Sequence, residues 1–126
     1  MPVRREMSEK ELTAAVIETA RIFGWRVAHF RSVPVKRGPR VVWETPVQGD
    51  GAGFPDLVLV RECVLWIELK VGGNTLSTAQ VEWARALEDA DEDVHVWTEH
   101  DWFDGLIEAR LRREPPAPPR DSGKPR

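Results

Sequence analysis

The chain of 126 residues carries 18 Lys and Arg against 21 Asp and Glu, a net charge of -3, and its 41% hydrophobic content is ordinary for a soluble globular protein. That length supports one hydrophobic core and not two. No stretch is long enough for a membrane helix, the start from Met1 to Arg5 lacks the apolar run of a signal peptide, and the single cysteine, Cys63, has no partner for an intramolecular disulfide. A cytoplasmic protein with no membrane partner is expected. The net charge does not announce a nucleic-acid binder, but the distribution is uneven. From Thr19 to Trp43 there is no acid, while Arg21, Arg26, Arg31, Lys36, Arg37 and Arg40 are basic, and acid gathers between Glu88 and Asp104. One end of the molecule can face phosphates while another repels them.

Ser8 followed by Glu11 is a capping-box pattern and predicts a helix to about Phe23, stopped at Gly24. Leu12, Ala15, Val16, Thr19, Ala20 and Phe23 form its apolar stripe, and the spacing puts Glu9 on that face as well. Glu9 either reaches a site or only favours the positive end of the helix. Trp25 to Arg31 alternates as a strand, with His29 and Arg31 on one face. From Ser32 to Gly53 the Pro and Gly content predicts a long loop with a short strand at Val41 to Trp43. Its Lys36, Arg37 and Arg40 are candidates for closing over a nucleic-acid backbone.

The next stretch is the most informative. Leu57 to Val60 and Val64 to Ile67 are β-branched-rich runs broken at Arg61-Glu62, the pattern of a hairpin whose strands are buried on both faces. Folding it sets Asp56 opposite Ile67 or Glu68, depending on whether Cys63 belongs to the turn. In either register Asp56, Glu68 and Lys70 converge. Two carboxylates and the Leu69 carbonyl between them make an oxygen half-shell suited to Mg2+, with Lys70 beside it to orient a water or offset charge on a phosphate. After the turn at Gly72-Gly73, Ser77 and Gln80 form a second capping box, opening a helix to about Ala90. Gln80 either only caps or also points at the site. Val94 to Thr98 reads as a last strand and Asp101 to Leu111 as a last helix, while residues 114–126 read as a disordered Pro-rich tail.

Pro55-Asp56 followed by Glu68-Leu69-Lys70 resembles the signature of the PD-(D/E)XK nuclease superfamily. The phrases from Gly51 to Leu57 and from Leu76 to Gln80 are similar to its VRR-NUC branch, in particular the small stand-alone phage and prophage members. The resemblance implies an α/β fold with a restriction-endonuclease-like αβββαβ core, a mixed central sheet flanked by helices, within a single domain over 1–113. It implies a Mg2+-dependent endonuclease, with Mn2+ as substitute, that hydrolyses phosphodiester bonds in DNA, branched or junction DNA included. Asp56, Glu68, Lys70, Gln80 and Glu9 would be catalytic, with Asp56, Glu68, Leu69 and Glu9 around the metal. His29, Arg31, Lys36, Arg37, Arg40 and Ser77 would contact nucleic acid. Thr13 departs from the family, which usually has glutamine there, and Glu11 competes with Glu9 as the first-helix carboxylate. The alternatives are a non-catalytic nucleic-acid-binding module and an RNA-processing nuclease on the same core. Small members of the family can pair, so a homodimer is a further expectation. The six tryptophans either fill the core and substrate groove or lie partly at a partner surface.

Overall fold

A computed structural model describes residues 5–30, 33–44 and 46–114. Arg31 and the tail from residue 115 onward lie outside them. The elements run α1 (Glu9–Ile22), β1 (Arg26–His29), β2 (Val33–Arg37), β3 (Arg40–Glu44), β4 (Leu57–Val60), β5 (Val64–Lys70), α2 (Thr78–Asp89), β6 (Asp93–Thr98), α3 (Glu99–Phe103) and α4 (Leu106–Arg112). The protein is a mixed α/β fold with a central sheet flanked by helices. That sheet has four strands in the order β1-β4-β5-β6, and β2 with β3 forms a separate two-stranded ribbon. β1, β4 and β5 run antiparallel to their neighbours, while β6 joins β5 in parallel after the α2 crossover.

Both expected capping boxes form. Ser8 Oγ accepts from the Glu11 N–H while Glu11 accepts from Ser8 N–H, and Ser77 and Gln80 do the same for α2. From α1, Leu12, Val16 and Ala20 are fully buried against Leu57, Leu59, Leu65, Ile67 and Leu69 of the sheet and Ile107 and Leu111 of α4. Trp66 points to the opposite sheet face. There Phe54 stands edge-on to Phe30, Trp66 and Trp83, with centroids 4.8, 6.1 and 5.0 Å away, joining the segment before β4 to α2.

Four expectations need correction. β4 and β5 are not buried on both faces: Leu57 and Leu59 are covered, but Val58 is half-buried and Val60 exposed. The first strand covers Arg26–His29 and not Trp25; Trp25 is in the core and donates its indole N–H to the Leu111 carbonyl at 2.9 Å. The segment expected as a loop with one short strand contains a full hairpin. Its Val33, Val35, Val41 and Val42 favour extended backbone, and Gly38 at φ +60° provides the reversal between the paired Arg37 and Arg40. The last helix is two helices, since Gly105 adopts φ +77° and breaks the run after Asp104.

Candidate active site

The register of the central hairpin pairs Leu57 with Ile67 and Val60 with Val64, so Arg61, Glu62 and Cys63 make the turn and Asp56 stands opposite Glu68. Pro55 has no N–H to continue the ladder. The Leu69 N–H, a donor, goes instead to the Asp56 side chain, whose Oδ2 accepts it at 2.9 Å. On the other side the Asp56 carbonyl accepts from the Phe30 N–H at 2.8 Å. In a strand the N–H and C=O of one residue leave toward the same neighbour, so the Leu69 carbonyl lies on the Asp56 edge of β5.

Glu68 is buried, at 6% exposure, in a position where an isolated charge is costly. Its carboxyl is pushed up to about 9, first by burial, then by the Asp56 charge and a hydrogen bond with the Asp56 side chain, with Lys70 opposing. Gln80 closes the other side, its Nε2 donating to Glu68 Oε1 at 2.9 Å while its Oε1 accepts from the Ser77 N–H at 2.8 Å. The two readings of Gln80 are thus one geometry: each end of the amide has its own task. Lys70 follows on the same face of β5 and is half-buried, near enough to act electrostatically on both Glu68 and Glu9.

Glu9 lies in line with Leu12 and Val16 on α1, as its spacing suggested, but it is not buried there as expected. It is exposed, since the stripe is covered only from Leu12 onward. It still belongs to the neighbourhood of the site: partial loss of water raises its carboxyl, the Asp56 charge raises it further, and Lys70 lowers it. Glu11 is taken up with Ser8, whose cap holds its carboxyl below the ordinary range. Thr13 is also occupied locally, donating its hydroxyl to the Glu9 carbonyl at 2.8 Å.

Around this group, His29 is exposed on β1 opposite Leu57, at the same end of the sheet as Asp56. The Ser77 hydroxyl caps α2 by accepting from the Gln80 N–H. Lys36, Arg37 and Arg40 are exposed at the tip of the β2–β3 ribbon.

Sequence reasoning missed two supports of the site. Glu99, directly after the strand parallel to β5, is buried and accepts from the Gly72 N–H at 2.8 Å, tying down the turn that follows Lys70. Its other oxygen has no hydrogen-bond partner among the described residues and lies 3.7 Å from His100 Nε2. The second is Gly53, whose φ of +80° and contact with α2 admit no side chain: a Cβ there would meet the Ala79 carbonyl oxygen at 2.6 Å. The Gly-rich phrase before Asp56 was the available signal. For Glu99 the only signal was a carboxylate at the end of a strand.

Among the described residues, no three or more His, Cys, Asp or Glu side chains are gathered into a ready metal cage. What is gathered is a pair. Asp56 and Glu68 are opposed carboxyls, and the Glu68 carboxyl is pushed toward its protonated form by its burial and by the facing Asp56 charge. Such a pair, with a carbonyl beside it, fits a hard divalent cation, which supplies the positive charge that the proton otherwise provides. Comparison with protein-family models, curated proteins and solved structures finds no match to this chain.

Proposed function

We propose that this chain is a divalent-metal-dependent endonuclease of the PD-(D/E)XK type, close to the small stand-alone VRR-NUC proteins, with DNA as substrate. One observation carries the reading: the buried Glu68 carboxyl faces Asp56 across the β4–β5 ladder, is held by Gln80, and is followed two residues later by Lys70. A structural ion pair does not need a second acid facing the buried one. The helix, three strands, helix, strand order of α1, β1, β4, β5, α2 and β6 supports a restriction-endonuclease-like core, with β2–β3 as an insertion between its first two strands.

In this reading Asp56, Glu68 and the Leu69 carbonyl would hold Mg2+ or Mn2+, with Glu9 joining through water. The ion would polarise the phosphate and make water acidic enough to attack near neutral pH. Asp56 enters already oriented by the Leu69 N–H. Gln80 fixes one oxygen of Glu68 and leaves the other toward Asp56. The Lys70 ammonium would orient the attacking water and offset charge building on the phosphate. Glu99 and the Gly72 N–H hold the end of β5 in place beneath Lys70.

The test is cleavage of labelled single strands, duplexes, flaps, junctions and RNA with Mg2+, Mn2+ or EDTA. Metal-dependent cutting that is lost in Asp56→Ala and in Lys70→Ala, with the fold retained, is the expected result. Full activity in either variant overturns the assignment. A second reading, a non-catalytic nucleic-acid-binding module, draws on the exposure of Glu9, the local use of Thr13 and the lack of a three-acid cage. It predicts binding across the panel with no metal-dependent cutting.

A further inference from the structure

The β2–β3 ribbon packs extensively on no other helix or strand among the described residues. Its register pairs Pro34 with Trp43 and Lys36 with Val41, which sets these four side chains on one face. All four are exposed, Trp43 at 69% and Val41 at 63%. The other tryptophans are spoken for: Trp25 and Trp97 are buried, and Trp66, Trp83 and Trp102 are half-buried. An indole this open beside a second exposed apolar residue marks an interaction surface.

The chemistry of that face selects its ligand. Reading the edges of paired bases takes hydrogen-bonding side chains, and Pro34, Val41 and the Trp43 ring face offer none to speak of. In a duplex the base faces are already stacked on each other. A flat aromatic face beside positive charge instead suits unpaired bases, which stack on the ring while cations hold the adjoining phosphates.

We propose that the β2–β3 ribbon is a stacking platform for unpaired nucleobases, with Trp43 against a base face, Lys36 of the same face on a flanking phosphate, and Arg40, on the opposite face at the tip, adding positive charge. The inference rests on the nucleic-acid reading given above but not on its cleavage chemistry. It selects single-stranded or branched substrates over continuous duplex. A second copy of this chain on the same face is disfavoured by the like charges at the tip, which would be brought together.

The experiment is equilibrium binding by fluorescence anisotropy, in EDTA so that nothing is cut. The probes are a labelled single strand, its abasic counterpart and the matched duplex. Trp43→Ala should weaken binding to the base-bearing strand roughly 5- to 100-fold and leave the abasic strand and duplex unchanged. Trp43→Phe should restore most of the affinity, and Lys36→Glu with Arg40→Glu should weaken all three and flatten the salt dependence. Circular dichroism should show both tryptophan variants folded, since the ring is exposed. Unchanged binding by Trp43→Ala, or an equal loss on the abasic strand, overturns the proposal. So does a sedimentation result in which the variant loses affinity only because a dimer has fallen apart. Base-dependent binding without any metal-dependent cutting leaves the platform standing and removes the nuclease reading.

Discussion

Glu68→Gln offers the sharpest perturbation, because it should stabilise the metal-free fold while removing a ligand. Burial and Asp56 raise the Glu68 carboxyl from 4.5 to about 9, so between these values the folded chain keeps a proton that the unfolded chain releases. Stability from this group is fully present below about 4.5 and is lost as the pH climbs toward 9. One proton corresponds to about 1.4 kcal/mol per pH unit, so the loss from pH 5 to pH 8 is at most about 4 kcal/mol. The amide has the shape of the protonated acid: it can accept from Gln80 Nε2 and donate to Asp56, but it does not ionise. Urea unfolding in EDTA should therefore give similar midpoints at pH 5 and a more stable variant at pH 8. Added Mg2+ should stabilise the native protein more at pH 8 than at pH 5, where a proton competes, and should do little for Glu68→Gln. Parallel pH profiles for the two proteins would refute the reasoning.

Gly53→Ala combines positive φ with a clash against the Ala79 carbonyl and should cost about 2 to 4 kcal/mol by thermal unfolding, while Gly49→Ala, with positive φ but open space, should cost about 1. Equal losses would mean that the contact with α2 is irrelevant. Arg61→Ala should cost about 2 to 4 kcal/mol, because the guanidinium donates to the carbonyls of Phe23, Leu111 and Arg113 and lies 4.4 Å from the Trp25 ring centroid. A drop in Tm under a few degrees would show that water replaces these bonds. Gln80→Glu keeps an acceptor for the Ser77 N–H but loses the donor to Glu68, so cutting should fall without loss of helix, whereas Gln80→Ala should lower both activity and Tm. Equal Tm losses in the two variants would leave Gln80 with a site role in stability and none for the cap.

The convergence of Asp56, Glu68 and Lys70 was legible because both registers of the hairpin bring them to one end of the sheet; the choice between registers depended on turn geometry around Cys63 that spacing does not encode. Gln80 was legible as a cap, and its second bond follows from α2 starting beside the end of β5. Glu9 was misplaced because helical spacing gives direction and not cover: the sheet reaches Leu12 but not the turn before it. The β2–β3 hairpin was obscured by Pro34, Gly38 and Pro39, and a ribbon with little covering it shows weak contrast between its faces. For Glu99 a carboxylate at a strand end was too weak a signal, because its partner is a main-chain N–H, which no side-chain pattern announces.

The bonds made by Asp56 fix more than its position. With Oδ2 accepting from the Leu69 N–H and its own carbonyl accepting from the Phe30 N–H, Oδ1 is the oxygen of this residue with no main-chain hydrogen bond, and the one best placed to meet a cation. A one-toothed grip of this kind suits an octahedral ion that retains its waters better than a larger one that prefers both oxygens of a carboxylate. Preference between Mg2+ and Ca2+ would thus be set at the end of a β-ladder, where the Leu69 N–H finds its acceptor in a side chain.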